Sequence, residues 1–514
     1  MNIQVPNNDY LTEEAASEVA EQSLPHVNTG SMSRTKITLE YGELKLAQSF
    51  VKRQWEPADK NTWVGLLEFA KALGVAPVKP TSQKKVVRWL SDLCMAVHRS
   101  PNGEIAWQTG SAEIKGPPYG QDIAAQVKNG LKDSGLITVE QKSAKSQELA
   151  RIYQLDRSIC SPDYKFKQHK DWHPVEVRSS KTRVGGKTVG GSPLARRRFV
   201  GQIEPFEQQM YRLNKAMGTY PLRSDEGHEF FGCRRIFNNG TLLSGGRVYG
   251  DWQGLSEDQR LQLKIGGEPV CEIDIKACYV AIAYSQFGKG KLPEDDPYSS
   301  VRFVKECNDP ERRKQLRTAC KLLVVAYLGK NGELTKYPRA KKKQGGEKAI
   351  SFKTRFDLDH NADFYMSQIK EAHPVLVDQK AYGDDLMFRE SSIVVDAMMT
   401  LLDLGVVSYP VHDCLIVPLS HKDKAIEVLS DTLRGHLGFV PAMDVAYLDH
   451  DDQKVETTIS VQGEVGPQGR QQHSKFILDW GLSDDFDLIE DWDDVSGNTE
   501  YLVTPNTSQE PIRL

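Results

Sequence analysis

The stretch VSYPVHDCLIVPL, residues 407–419, places one carboxylate inside an otherwise apolar run and so limits what the chain can fold into. Asp413, flanked by Val411, Leu415, Ile416 and Val417, would lose several kcal/mol of solvation if buried alone. A fold that buries this run must therefore bring Asp413 a partner or a metal. The run reads as two short strands with a turn at His412 and Asp413, which puts the acid at a hairpin tip. It follows directly on ESSIVVDAMMTLLDLG, an apolar helix closed by Gly405.

The chain supplying that partner has 514 residues, enough for two or three domains, and a hydrophobic share of 39% supports sizeable cores. Its formal charge of −4 conceals an asymmetry, because residues 479–494 carry eight carboxylates and no base. With those set aside, 66 basic residues face 62 acidic ones. A mildly basic body with an acidic tail is compatible with nucleic-acid binding, the tail either competing for the basic surface or merely solvated. The eight cysteines form no CxxC pair, so neither a disulfide framework nor a structural zinc site is indicated. The first 22 residues hold five acids and no base, unlike a signal or transit peptide, and no apolar run approaches a membrane span. The expectation is a cytoplasmic protein without membrane contact.

Five regions follow. Residues 1–35 are polar and aperiodic and are expected to be disordered. Residues 60–157 read as helices over 62–73, 82–97 and 120–134, the last stopped by Gly135, and then two β-rich runs, GLITVEQ and ELARIYQLD. Helices followed by a hairpin suggest a winged helix. The third helix would then offer Gln121, Gln126, Lys128 and Lys132 to a DNA groove, with Lys142 and Lys145 on the wing; a protein-contact winged helix or a small α+β cap fits the same pattern. Residues 158–200, rich in Gly, Ser and base, read as a flexible basic linker, and its Arg196, Arg197 and Arg198 suit phosphate contact or simple solvation. Residues 201–460 mix strands and helices, and 461–514 form the acidic tail. Within the body, KYPRAKKKQGGEK (336–348) reads as a mobile loop able to follow a template backbone or as a solubilising insertion, and His450 with its acidic neighbours as an exposed turn.

In that body, EPVCEIDIKACYVAIAYSQFG reads as a strand through Val270–Ile275 running into a helix, with Asp274 at the strand's end. Asp274 and Asp413 lie 139 residues apart in sequence but can lie side by side in one sheet. Two such carboxylates can hold two divalent cations about 3.5–4 Å apart, the arrangement that serves phosphoryl transfer. Between them, NDPERRKQLRTACKLLVVAYLG has helix punctuation in Asp309, Pro310 and Gly329. Arg313, Arg317 and Lys321 recur every fourth residue beside an apolar stripe of Leu316, Cys320, Leu323 and Tyr327. A row of cations facing two metal-binding acids suits a nucleoside triphosphate.

The order EIDIKACYVAIAY, RTACKLLVVAYLG, YPVHDCLIVPL resembles motifs A, B and C of the family A DNA polymerases and the related single-subunit RNA polymerases, most closely the compact phage and mobile-element type. The resemblance spans about residues 230–420. It implies an α+β right-hand polymerase, with a palm carrying Asp274 and Asp413, fingers over about 300–370, and the winged-helix-like domain in front. It implies DNA-directed DNA synthesis by two Mg²⁺ ions on a primer–template duplex with dNTPs. On it, Asp274 and Asp413 match the metal-binding aspartates and the carbonyl of Ile275 a main-chain metal ligand. Arg317 and Lys321 match the residues that grip the triphosphate, Lys321 also as proton donor to pyrophosphate. Tyr279 matches the side chain that excludes a ribose 2'-hydroxyl, His412 the support of the primer end, and Arg247, in SGGRVYG, a duplex contact.

The sequence departs from the pattern where Cys414 replaces a carboxylate and Val325 an aromatic that stacks on the incoming base. No upstream acid cluster resembles a proofreading exonuclease, and the space before motif A is short for a full thumb, so processivity would depend on the N-terminal domain or on other replication proteins. An RNA polymerase or primase with the same two acids, and a DNA-binding initiator or regulator that no longer catalyses, are the alternatives.

Overall fold

The computed structural model describes residues 49–50, residues 55–460 apart from 101, 108–120, 142–150, 170–171, 185–186, 288–291, 293–295, 329–333, 339–349 and 378–382, and the pair 501–502. Residues 1–35, Lys142, Lys145, Gly329, nearly all of the acidic tail and most of the 336–348 segment lie outside these. The chain is a mixed α+β protein built on open sheets.

The N-terminal part runs β1 (Ser49–Phe50), β2 (Trp55–Pro57), α1 (Lys60–Ala72), α2 (Pro80–His98), β3 (Glu104–Trp107), α3 (Gln121–Asp133), β4 (Ile137–Gln141) and β5 (Arg151–Leu155). Asp59 caps α1 by accepting from the Thr62 N–H, and Gly135 takes a left-handed backbone just past α3. The hairpin of β4 and β5 joins β1 and β3 in the order β1-β3-β5-β4. Ala124, Val127 and Leu131 bury one face of α3 against α2, leaving Gln126 and Lys132 exposed and Lys128 partly so.

Residues 158–200 correct the linker expectation. They form β6 (Lys165–Gln168), β7 (Val175–Val177), β8 (Lys181–Val184) and β9 (Lys187–Gly190). The segment is polar overall but carries buried anchors in Phe166, Val175, Val177 and Phe199. β6 pairs with β2, and β7 runs parallel to β12 (Arg234–Phe237) in the body, so the segment is built into both sides. Arg196 is engaged by Glu204 and Glu207 and does not stand free for phosphate. The N-terminal part also touches the body directly, where the Arg99 guanidinium lies 3.9 Å from the Phe231 ring centre.

The body opens with α4 (Glu204–Thr219), β10 (Leu222–Arg223) and β11 (Glu229–Phe230); after β12 come β13 (Gly245–Tyr249), α5 (Glu257–Leu261), β14 (Lys264–Ile265) and β15 (Glu268–Ile275). Next are α6 (Cys278–Phe287), α7 (Arg302–Lys305), α8 (Pro310–Leu328), α9 (Phe352–Arg355), α10 (Ala362–Ala372) and α11 (Gly383–Asp403). The chain closes with β16 (Tyr409–Val411), β17 (Cys414–Pro418), α12 (Lys422–Leu437), β18 (Met443–Leu448) and β19 (Lys454–Ile459). β15 is the centre of an eight-stranded sheet, paired antiparallel with β17 on one side and with β14 and then β18 on the other. Its fully buried Ile273 and Ile275 alternate with Glu272 and Asp274, so one strand gives one face to the core and the other to polar chemistry. Helices α6, α11 and α12 pack on one another beside it.

Tyr409 ties the hairpin of β16 and β17 to the rest of the body. Fully buried, its hydroxyl lies 2.7 Å from the Tyr220 carbonyl and accepts from the Leu222 N–H at 3.0 Å. Tyr409→Phe leaves both groups without that partner and should cost about 1–3 kcal/mol. A lower urea midpoint at unchanged m-value is the expected result; an unmoved midpoint would remove Tyr409 as the anchor.

Candidate functional site

The register of β15 against β17 pairs Asp274 with Cys414, and the Ile275 N–H donates to the Asp413 carbonyl at 3.2 Å. The two acids predicted to share a site therefore stand at adjoining strand ends. Asp413 occupies the two-residue turn between β16 and β17, where His412 takes φ +60. Histidine is among the residues that tolerate this left-handed backbone, and a two-residue turn suits a tight hairpin. His412 itself is exposed at the tip. Just past β15, Ala277 also has a positive φ, +51, and starts the chain into α6.

Burial pushes the Asp274 carboxyl up to about 8, with repulsion from Asp413 next and further contributions from Asp444 and Glu272; Lys321 pulls the other way. Burial likewise raises Asp413, which its own backbone N–H, Lys321, Arg247 and His412 partly relieve. Both acids thus resist ionisation, and both feel one exposed lysine on α8. Asp444 faces Asp274 directly across β18, half exposed and held by Lys276 at 2.9 Å.

The remaining predicted residues divide. Leu316, Cys320, Leu323 and Tyr327 are the buried stripe of α8. Lys321 acts on the acid pair, but Arg317 is held at 2.6 Å by Asp296 and Arg313 donates to the Cys307 carbonyl at 2.7 Å. Arg247 sits beside the acids rather than on an open duplex-facing surface. Its guanidinium grips Glu390 through two bonds of 2.7 and 2.8 Å and donates to the Tyr279 hydroxyl at 2.9 Å. Lys128 and Lys132 lie on α3, in the N-terminal part.

Sequence reasoning missed Glu390, which is 1% exposed on α11. Its signal was the one Asp413 gave, an acid bordering an apolar run. Burial lifts its carboxyl to about 7, with Asp413 adding to the shift and Arg247 opposing it. Donor atoms of Glu390, Asp413 and Cys278 lie within 4.8 Å of one another. That trio suits a hard cation poorly: Glu390 is already paired to Arg247, and burial holds the Cys278 thiol well above its usual range, so it stays protonated. Cys414, in the position where a carboxylate was expected, is buried with its thiol likewise raised by burial. It faces Glu272, which is held by Arg260 at 2.6 and 2.9 Å. No family model matches the chain, and no match is found among curated proteins. Among the described residues no helix is long and apolar enough to cross a membrane.

Asp274 sets a pH dependence. Its folded-state pKa lies above the unfolded one, so between the ordinary carboxylate range and about 8 the folded chain holds more protons, and stability falls as pH rises through that window. Asp274→Asn removes this loss. Its unfolding free energy relative to wild type, read from urea titration, should rise between pH 4 and pH 8.5 by about 1 kcal/mol or more after allowance for solvent screening. Mg²⁺ at pH 8.5 should narrow the gap. A difference that does not change with pH would mean that Asp274 ionises freely.

Proposed function

We propose that the chain is a template-directed nucleotidyltransferase, a polymerase that extends DNA with Mg²⁺. The observation that carries this reading is the meeting of Asp274 and Asp413 at adjoining strand ends within the field of Lys321. Two oxygen donors whose carboxyls are driven up by burial, that of Asp274 also by Asp413, form a centre that gains from a hard divalent cation. The set fits Mg²⁺, with Asp274, Asp413 and the Ile275 carbonyl as its holders. Bound there, the ions would supply charge neutralisation and activation for phosphoryl transfer.

The chain's own residues take the remaining work. Lys321, free to swing on the exposed side of α8, offers a cation to the triphosphate and a proton to the departing pyrophosphate. Arg317 and Arg313 lie one and two turns earlier, so a triphosphate would draw Arg317 from Asp296 and Arg313 from the Cys307 carbonyl. Exchanging one acceptor for a more highly charged one costs each arginine little reorganisation. His412, at the hairpin tip next to Asp413, is the residue to bear on a primer end. Lys128 and Lys132 give the N-terminal part a partly exposed basic edge for DNA.

Asp274→Ala and Asp413→Ala should each lower nucleotide incorporation at least ~10³-fold while leaving duplex binding nearly unchanged. Primer extension with Mg²⁺ measures this, and running it with dNTPs and rNTPs on primed and unprimed template separates a DNA polymerase from an RNA polymerase or primase. Incorporation by either variant at near the wild-type rate would refute the assignment. A protein that binds DNA without metal and incorporates nothing would be an initiator or regulator.

Tyr279 sits five residues after Asp274, partly buried, with its hydroxyl held by Arg247. A fixed ring there would leave no room for a ribose 2'-hydroxyl. Tyr279→Ala should raise ribonucleotide incorporation relative to deoxyribonucleotide by about tenfold or more. Tyr279→Phe should keep most of the discrimination, because the ring does the excluding. Equal losses for both sugars in matched steady-state assays would return Tyr279 to a packing role.

A further inference from the structure

A cavity of about 540 Å³ lies among α7, α8 and α10, lined on α8 by Arg312 and Leu316. Part of its wall is aromatic. The rings of His360 and Phe364 lie 3.8 Å apart at 34°, and Phe303 meets Tyr365 edge-on at 4.9 Å. Phe364 lines the cavity and is 39% exposed, so its ring is reachable. Gln368 lies one helical turn beyond Phe364 on α10 and also lines the cavity. It is 4% exposed, yet its amide oxygen is buried without a hydrogen-bond partner among the described residues. A buried acceptor left unpaired costs about 1–3 kcal/mol, which an entering donor would recover.

The charges at the mouth narrow the ligand. Arg302 and Arg312 are balanced there by Glu306 and Asp359. Arg312 is also spent on the carbonyls of Phe356 and Asp357, and Arg302 pairs with Glu371 at 3.5 Å. No net positive field remains to attract phosphate. What the cavity offers is aromatic faces beside acceptors, the carboxylates of Glu306 and Asp359 and the unpaired amide oxygen of Gln368, a setting that suits a planar heterocycle with an amino edge.

We propose that this cavity binds a nucleobase, outside the Asp274–Asp413 centre, with the base against the exposed face of Phe364 and an exocyclic amino group donating to Gln368. Adenine, cytosine and guanine carry such a group and thymine does not. The base could belong to a free nucleotide or to an unpaired position of a single strand; the chemistry read by the cavity is the same. The site does not depend on the polymerase reading, since none of its residues belongs to the acid centre.

The test is equilibrium binding to the full chain in chelator, in an Asp274→Asn background so that the acid centre contributes little. The probes are dAMP, dTMP, a short oligo(dA) and its abasic counterpart. Preference for dAMP over dTMP, lost on the order of tenfold in both Phe364→Ala and Gln368→Leu, supports a free-nucleotide site. Preference for oligo(dA) over the abasic strand, lost in the same two variants with dAMP too weak to saturate, supports a single-stranded source. Phe364 is exposed and Gln368→Leu keeps side-chain volume, so both variants should fold, and unchanged urea midpoints would verify it. If neither variant alters the discrimination between base and no base, or between dAMP and dTMP, the proposal is overturned.

Discussion

The antiparallel register of β15 and β17 is the constraint on which the rest of the body depends, because it forces Asp274 and Asp413 together in a place that burial makes hostile to charge. The hydrophobic sequence of both strands leaves little choice. Ile273, Ile275, Leu415, Ile416 and Val417 are all buried, and slipping the pairing by one residue would turn Glu272 and Asp274 into the face that Ile273 and Ile275 fill. The sheet gains its core and accepts two acids that repel each other. Cations and hydrogen-bond donors on surrounding elements then limit the cost.

Those compensating groups are of two kinds. Arg260 and Arg247 are locked, each gripping a buried glutamate through two bonds, Glu272 in one case and Glu390 in the other. Removing one member of such a pair would strand a buried charge, so these arginines belong to the architecture as much as to any chemistry. Lys321 is exposed and relieves both aspartates from α8 without being fixed to either. It stands on the helix where a spacing of four had suggested a triphosphate grip.

Much of this was legible because local rules agreed. Asp309 followed by Pro310 marks the start of α8, where the Asp309 carboxylate accepts from the Arg312 N–H, and Gly405 closes α11 with a left-handed backbone. The hairpin turn at His412 and Asp413 and the three N-terminal helices were readable for the same reason. What escaped was tertiary. Residues 158–200 look like a linker because their apolar anchors are few, and it is the remote strands β2 and β12 that build β6 and β7 into the fold. The partner of Arg247 escaped because nothing in its neighbourhood names Glu390, 143 residues away. Partners this remote leave no periodic trace, whereas a lone acid in an apolar run does.

The two non-glycine residues with left-handed backbone nearest the site bear on the same point. His412 precedes one acid and Ala277 follows the other by three residues. Such conformations cost of order 1–3 kcal/mol at a side chain with a Cβ, and they persist where the surroundings over-determine them. Here the surroundings are a sheet register that cannot slip and a helix, α6, that must start at Cys278 for Tyr279 to reach Arg247. A relaxed turn at either place would move an acid away from its counterpart or the tyrosine away from its anchor. The backbone cost and the charge repulsion thus have one source, the register that brings Asp274 and Asp413 together.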